Sequence, residues 1–323
     1  MKYRKLGKTD LLVSEIGHGL WGMGDWTDSS DKESTKVLQK SLELGCNFYD
    51  SAWSYGSGHS DQLLGKLIKN NPAAKIYAAS KVPPKNFKWP ANSKYKFDEV
   101  YPRQHVIDYT GKILDGIGID CLDLLQFHVW DDSWSDSDEW KQTISDLKSN
   151  KRIRFFGLSL NRWEPWNGVK AIETGLVDTV QVIYNIFDQA PEDNLFPLCK
   201  KMNVGVIARV PLDEGGLSGN LTSETHFPEK DWRARYFGPE NLHATVERAE
   251  ALKSLVPVSM NLAEMALRFI LKNQVVSTTI VGMRSVNHLK EDIGISDGNA
   301  LPEELIVKLR AHRWDRKVTP WAD

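Results

Sequence analysis

The feature that most constrains the fold of this 323-residue chain is the regular alternation of two kinds of segment. Short runs rich in Val, Ile, Leu and Phe are each followed by a longer segment whose apolar residues recur at helical spacing. The short runs predict strands at residues 15–20, 47–50, 76–82, 122–128, 153–160, 179–185, 204–210 and 277–281. The longer segments predict helices at residues 31–44, 60–69, 101–117, 140–147, 165–174, 192–202, 244–255, 262–271 and 286–293. Strands that alternate with helices indicate parallel βαβ units.

Eight such strands favour a closed (β/α)8 TIM barrel over an open doubly wound sheet, and the chain is long enough for the roughly 250 residues of a typical barrel. Residues 1–12 predict a small N-terminal β-hairpin at the bottom of the barrel, and Pro302 begins an extra C-terminal helix. We expect residues 1–323 to form one domain, with an irregular tail from residue 313. Two long connections, residues 83–99 and 211–241, are candidates for functional loops.

Composition excludes several classes of function. The net charge is −2, with 41% hydrophobic and 26% charged residues, and no basic stripe suggests a nucleic-acid partner. No apolar run is long enough to cross a membrane, and the N-terminus lacks the apolar core of a signal peptide. The three cysteines are too scattered for a disulfide framework or a metal site. We therefore expect a cytoplasmic protein without a metal ion.

Residues with acid–base chemistry lie at the ends of successive predicted strands. Asp50 ends the second strand, and Tyr55 lies five residues later on a turn rich in Gly and Ser. Lys81 and His128 stand at the ends of the third and fourth strands. In a parallel barrel these ends converge on one face, where active sites form. We therefore interpret the four residues as one constellation.

The four side chains together predict a proton relay. A free tyrosine has a pKa of about 10, and a neighbouring ammonium group lowers this value. Lys81 could supply the ammonium, and Asp50 could keep it charged. His128 could then polarise a carbonyl oxygen that becomes an alkoxide on receiving a hydride. Since no side chain donates a hydride, a cofactor must supply it.

Each of these residues also has a simpler interpretation. Asp50 and Lys81 could form a structural ion pair, His128 could be an ordinary buried histidine, and Tyr55 could stabilise its turn. Lys81 could instead form a Schiff base, as in barrel aldolases. An adjacent carboxylate would hold the amine protonated, which is wrong for a nucleophile.

A glycine motif near the N-terminus suggests a competing cofactor site. The segment GHGLWG at residues 17–22 matches the dinucleotide fingerprint G-x-G-x-x-G. In a Rossmann unit the third glycine lies in the first turn of a helix. Here a loop follows and the predicted helix begins only at residue 31, so we interpret these glycines as a tight strand end.

At these positions the sequence resembles the aldo-keto reductases over nearly the whole chain. The matching segments are FYDSAWSYG, the strand of Lys81, LDLLQFH, GLSLN, the strand of Gln181 and IVGMRSVNHLKEDI. The form GLSLNRW is similar to the bacterial general stress and inositol-utilisation reductases. The resemblance implies a TIM barrel that reduces aldehydes or ketones to alcohols with NADPH, with Asp50, Tyr55, Lys81 and His128 as the catalytic tetrad and Tyr55 as general acid.

The resemblance also implies a set of cofactor-binding positions. For the nicotinamide carboxamide they are Ser159, Asn161 and Gln181. For the pyrophosphate they are Leu212, Glu214, Gly216 and Ser218. For the adenosine phosphates they are Gly282, Met283, Arg284 and Ser285, with Arg284 as the candidate for the 2′-phosphate. For the adenine end they are His288, Glu291 and Asp292.

Several features leave alternatives open. Arg209 stands where the family commonly stacks an aromatic residue under the nicotinamide, and we expect it to weaken binding of the oxidised cofactor unless Glu214 pairs with it. Trp21, Trp53 and Trp130 could form an aromatic substrate pocket. A different class of function is a cofactor-binding regulatory subunit, similar to the β-subunits of potassium channels. The physiological substrate, the oligomeric state and the role of the tail near Trp321 stay open.

Overall fold

The structure, a computed structural model, describes residues 1–24, 29–229 and 231–316. Within these residues eight parallel strands close into a barrel, because the last strand pairs with the first as well as with its predecessor. The barrel strands are β3 Ile16–Gly19, β4 Phe48–Asp50, β5 Tyr77–Val82, β6 Leu122–Phe127, β7 Ile153–Ser159, β8 Thr179–Ile183, β9 Gly205–Arg209 and β10 Val276–Val281. The predicted TIM barrel is confirmed, with each strand within three residues of its expected ends.

The helices surround the barrel. They are α1 Asp31–Glu43, α2 His59–Asn70, α3 Phe97–Val100, α4 Arg103–Ile117, α5 Asp138–Ser149, α6 Val169–Glu173, α7 Leu195–Met202, α8 Trp232–Lys253, α9 Leu262–Lys272, α10 Val286–Gly294 and α11 Glu303–Arg310. Two expectations were wrong in extent. The loop expected at residues 211–241 is shorter than predicted, because α8 begins at Trp232. The helix is kinked at Gly238, where φ is 42°, and the glycine there led the sequence pattern to predict a break. The predicted helix at residues 165–174 is reduced to α6.

The barrel strands owe their stability to burial on both faces. All six residues of β5 and all six of β10 are buried, as is usual for parallel strands covered by helices. Side chains on one face of these strands fill the barrel interior, while those on the other pack beneath the helices. A polar residue buried on such a strand lowers the stability of the fold unless it has a hydrogen-bond or ion-pair partner. The polar residues at the carboxyl ends of the strands are therefore candidates for a functional role.

The bottom of the barrel is closed by the predicted N-terminal hairpin, formed by β1 Tyr3–Lys5 and β2 Leu12–Ser14. Leu6, Leu11 and Val13 of this hairpin are fully buried and belong to the same apolar cluster as Leu124 and Ile207 inside the barrel. This apolar plug leaves the opposite end, at the carboxyl ends of the strands, as the open face.

The part of the chain that the structure describes contains no helix both long and apolar enough to cross a membrane. The segment around Trp321, whose role the sequence left open, lies outside the described residues, and so do residues 25–28 of the loop after the glycine motif. Within the described part of that motif, Trp21–Met23 form one 3-10 turn and the next helix begins at Asp31, so the context of a Rossmann fingerprint is lacking.

Candidate active site

A buried ion pair lies at the open end of the barrel. The Nζ atom of Lys81, on β5, is 2.6 Å from Oδ2 of Asp50, the last residue of β4, and both side chains are almost fully buried. Lys81 also donates to the carbonyl oxygen of Ser51 at 2.8 Å. Burial lowers the pKa of Lys81, but Asp50 and Tyr55 more than reverse this, so the net pKa is raised. Lys81 is therefore held as an ammonium ion, which is unsuited to forming a Schiff base.

Tyr55 lies directly above this pair. Lys81 Nζ is 3.4 Å from the Tyr55 hydroxyl oxygen. As the sequence predicted, the interaction with Lys81 by itself lowers the pKa of Tyr55. Burial raises the pKa of Tyr55 by more than Lys81 lowers it, so the net pKa lies above the usual value. Tyr55 is thus a protonated phenol beside a cation, and the lysine's influence is to favour the phenolate once the proton leaves.

His128 follows β6 on the other side of Tyr55. Their ring centroids are 5.7 Å apart in an edge-to-face arrangement. Burial, followed by the positive charges of Lys81 and Arg209, lowers the pKa of His128 well below its usual value, so the imidazole is neutral. Its Nδ1 atom is 3.1 Å from Oγ of Ser54. If that hydroxyl donates to Nδ1, the proton of the ring resides on Nε2.

A layer of amides supports Asp50 from inside the barrel. Gln181 and Gln126 donate to Asp50 Oδ1 at 2.9 Å and 3.1 Å, while Lys81 bonds to the other oxygen. Gln181, expected at the carboxamide, therefore also orients Asp50. Ser159, at the end of β7, is buried and lies beside Gln181, its partner in the register of β7 and β8.

Asp61, at the start of α2, is a second buried carboxyl group close to the tetrad. Ser80 donates to its Oδ1 at 2.9 Å, while Oδ2 is buried without a partner in the described residues. Burial raises the pKa of Asp61 to about 6, although Ser51, Ser80 and Lys81 act in the other direction.

Asp61 should make the protein less stable as pH rises. Because its folded pKa of about 6 exceeds the unfolded value of about 3.9, the folded state binds the extra proton, and stability falls between these values and stays lower above them. We expect Asp61→Asn to raise the unfolding free energy by about 2 kcal/mol at pH 8 and to change it little at pH 4. Urea unfolding at both pH values tests this. Asp10→Asn, which alters an exposed carboxylate, is the control, and an equal change at both pH values would contradict the explanation.

Asn161, expected to bind the carboxamide, already uses most of its hydrogen-bonding groups within the protein. Asn161 donates both amide hydrogens within the protein, to the Ala91 carbonyl at 3.1 Å and to Glu164 at 2.8 Å. Its oxygen accepts from the Ala91 amide at 3.0 Å, so only one further lone pair remains. Asn161 therefore positions the loop after β5 in addition to any contact with a ligand.

Arg209 ends β9 and donates through Nη2 to the Leu160 carbonyl at 3.0 Å, while its Nε is buried without a partner in the described residues. Burial and then Arg162 lower the pKa of Arg209 to about 10. Glu214 is close enough to act on this charge, yet among the described ion pairs none joins the two side chains. Burial raises the pKa of Glu214 to about 7, with Asp213 acting in the same direction. Arg209 thus carries a buried N–H donor that no described group satisfies.

The remaining expected positions lie along one side of the open face. Gly216 lies in a turn so close that a Cβ atom there would be 2.5 Å from Thr245. Ser218 caps the same turn by donating to the Gly215 carbonyl at 2.6 Å. Leu212, which begins the turn, is half-buried. A glycine is therefore required at position 216, because any larger residue would collide with Thr245 in this turn.

Helix α10 begins nearby with exposed residues. Ser285 caps it by accepting from the His288 amide at 3.2 Å, and Gly282 and Arg284 are exposed just before it. Met283 is buried, with its carbonyl oxygen 3.1 Å from His18 Nε2. A helix N-terminus with an adjacent guanidinium suits a phosphate group. On the helix itself, Glu291 is exposed and Asp292 is buried, and burial followed by Glu291 raises the pKa of Asp292 to about 7.

Of the three tryptophans expected in a substrate pocket, Trp21 brings its ring to the tetrad, with its ring centroid 6.3 Å from that of Tyr55. Trp130 is fully buried and packs at 5.5 Å against Trp140, so in this structure it lies in the core, and its place in a substrate pocket stays a prediction. Trp53 packs edge-on at 4.6 Å against Tyr109 of α4.

Two other tryptophans occupy the cleft and were missed. Trp89, in the loop after β5, packs edge-on to His128 at 5.8 Å and is 36% exposed. Trp232, at the start of α8, lies 6.1 Å from Trp21. Both belong to the long connections that the sequence did identify as functional candidates. Trp21, Trp89 and Trp232 therefore place aromatic side chains around Tyr55 and His128.

A TIM barrel with its polar residues gathered at the carboxyl ends of the strands defines the class of protein as a barrel enzyme. The chain belongs to the aldo/keto reductase family, whose model matches residues 15–313, and it is therefore an oxidoreductase of a family that uses nicotinamide cofactors. An uncharacterized oxidoreductase of Bacillus subtilis is 26% identical over 97% of this chain and 96% of its own length. The NADH-specific methylglyoxal reductase of Escherichia coli is 25% identical over 93% of this chain and 96% of its own. The fold matches that of an aldo-keto reductase from Bacillus halodurans in its holo form, with a TM-score of 0.76 and 24% identity over the full length of both chains.

Proposed function

We propose that this protein reduces aldehydes or ketones to alcohols with NADPH, and that Tyr55 is the general acid. The observation that carries the proposal is the position of the Tyr55 hydroxyl oxygen, 3.4 Å from the ammonium group of Lys81, which itself lies 2.6 Å from Asp50. A bound nicotinamide supplies the hydride. Side chains at the open end of the barrel donate the proton and stabilise the charges that develop.

The reaction needs one proton at the carbonyl oxygen. Tyr55 donates it, and the raised pKa keeps that proton in place until negative charge develops on the oxygen. Lys81 then stabilises the phenolate that remains. His128 is neutral, and it donates a hydrogen bond from Nε2 to the same oxygen while Ser54 holds the tautomer through Nδ1. Solvent returns the proton to Tyr55.

The cofactor positions follow the row of polar groups beside the tetrad. Gln181, Ser159 and the oxygen of Asn161 hold the carboxamide, and Arg209, expected beside the nicotinamide, ends β9, the strand next to that of Gln181. The glycine turn containing Gly216 and Ser218, with Leu212 and Glu214, follows the pyrophosphate. The N-terminus of α10, with Arg284, takes the adenosine phosphates.

A regulatory subunit without turnover is the competing function, and a direct assay separates the two. Purified protein is mixed with NADPH and a panel of aldehydes, ketones and diketones, and absorbance of the reduced nicotinamide is followed. Turnover with at least one carbonyl compound supports the enzyme. Submicromolar binding of NADPH without turnover of any compound in the panel favours the regulatory subunit. Trapping of Lys81 by borohydride would instead indicate a Schiff-base lyase.

Preference for NADPH over NADH should depend on Arg284. Its guanidinium is exposed beside the N-terminus of α10, and it matches a phosphate that only NADPH carries. We expect Arg284→Ala to weaken NADPH binding about tenfold, which corresponds to one lost charge-assisted contact, and to leave the Kd of NADH within twofold. Fluorescence titration with both cofactors measures this. Lys290→Ala, which removes another exposed cation from the same helix, is the control. Equal losses for both cofactors in Arg284→Ala would contradict the assignment.

A further inference from the structure

An arginine near the C-terminal end of the described chain lies at the centre of a buried charged cluster. Only 2% of the Arg316 side chain is exposed. Its Nη2 atom is 2.7 Å from Oδ1 of Asp213 and 3.1 Å from Oδ2 of Asp188. Its Nη1 atom donates to the Tyr236 hydroxyl at 2.8 Å, and that hydroxyl donates to Asp213 Oδ1 at 2.5 Å. Three segments distant in sequence therefore meet at one carboxylate.

Asp213 belongs to the turn Asp213–Ser218, which follows β9 and contains three of the four expected pyrophosphate positions. Its φ angle is 51°, that of Glu214 is 54° and that of Gly215 is 107°. Two consecutive non-glycine residues in the left-handed region store backbone strain, and such a conformation persists only where surrounding contacts determine it. The side-chain contacts of Asp213 to Arg316 and Tyr236 are of this kind.

The tail that carries Arg316 is itself fixed on the loop after β8. Trp314 donates its backbone amide to the Phe187 carbonyl at 2.8 Å, and Arg313 forms a two-pronged pair with Asp193 at 2.7 Å. The Arg316 guanidinium also lies over the Trp314 ring at 4.4 Å. The loop after β8 thus fixes the position of Arg316, and Arg316 in turn restrains Asp213 through their ion pair.

From this geometry we infer that Arg316 is a positioning residue for the cofactor. It acts through Asp213 to hold the turn Asp213–Ser218 in the strained conformation that receives the pyrophosphate, an assignment that rests on the proposed function. The tail thereby completes the dinucleotide site from outside the barrel, although it supplies none of the predicted cofactor contacts.

Hydrogen–deuterium exchange of the protein without cofactor tests the inference directly. We expect Arg316→Met to accelerate amide exchange in Asp213–Ser218 at least tenfold and to leave β5 protected. Tyr236→Phe, which removes a single hydroxyl, should accelerate the same segment and serves if Arg316→Met does not fold. Arg310→Met, which breaks the ion pair of α11 with Glu192 and leaves the contacts that fix Arg316, is the matched control and should leave the turn unchanged. Exchange within twofold of the unaltered protein, or acceleration spread evenly over the barrel, would overturn the inference.

NADPH binding gives the second readout. We expect Arg316→Met to raise the Kd of NADPH at least fivefold and Arg310→Met to leave it within twofold. Combining Arg316→Met with Asp213→Asn should not weaken binding further than Arg316→Met alone, because both changes act through one contact. An unchanged Kd in Arg316→Met would overturn the role in cofactor binding. If the unaltered protein does not bind NADPH, the proposed function fails, whereas the exchange experiment still decides whether Arg316 orders the turn.

Discussion

Replacing Tyr55 with Phe should lower kcat for carbonyl reduction about a thousandfold, within the range that a positioned general acid contributes. The change removes one hydroxyl and leaves the ring, which packs near His128 and Trp21. Cofactor affinity should therefore stay within twofold, so the loss should be confined to the chemical step. Steady-state kinetics with the best substrate of the panel, together with NADPH titration, measure both quantities.

The control for this variant is Ser54→Ala, which removes a neighbouring hydroxyl that contacts His128 rather than the ammonium group. It should reduce kcat about tenfold or less, because His128 keeps its ring and loses only one partner. In the unaltered enzyme kcat should not fall between pH 6 and pH 9, since the raised pKa keeps Tyr55 protonated throughout. Activity in Tyr55→Phe within tenfold of the unaltered enzyme would remove the phenol from the mechanism.

The sequence contained enough to predict the barrel and the position of the tetrad. Strands and helices alternate with clear periods, and a closed parallel barrel brings the ends of its strands to one face whatever the loops do. Asp50, Lys81 and His128 are on or next to strands, so their convergence followed from topology alone. The structure brings Asp50, Lys81, Tyr55 and His128 together as expected, while their catalytic roles remain a prediction.

Other parts of the site depend on tertiary packing that sequence patterns do not encode. The direction of a side chain after a strand end is set by the loop, which is why Trp130 turns into the core while Trp89 and Trp232 reach the cleft. The net pKa of Tyr55 depends on how deeply the phenol is buried, which no local pattern reveals. Arg316 lies in a tail without periodicity, and only the fold shows that it meets Asp213.

Lys81→Met should cause the largest loss of stability, about 3–5 kcal/mol at neutral pH, together with loss of activity. The lysine is fully buried, and among the ion pairs of the described residues it is the partner of Asp50. Its removal leaves Asp50 as a buried charge held by the amides of Gln126 and Gln181. Methionine fills most of the same volume, so the packing loss should be small compared with the electrostatic one. Urea unfolding followed by tryptophan fluorescence measures the change.

The double variant Asp50→Asn with Lys81→Met separates charge from packing. Asparagine keeps an oxygen in the position that accepts from Gln126 and Gln181, but it carries no charge to be stranded. Because a buried pair replaced on both sides is usually tolerated far better than one replaced on a single side, the double variant should regain about 2 kcal/mol over Lys81→Met. It should nevertheless remain inactive, since the ammonium group 3.4 Å from the Tyr55 hydroxyl oxygen is gone and cannot stabilise the phenolate. A double variant no more stable than Lys81→Met would mean that lysine contributes through packing, and the electrostatic account of this site would then be wrong. Recovered stability without recovered turnover would instead show that the pair is kept for its effect on Tyr55, because the fold does not need it.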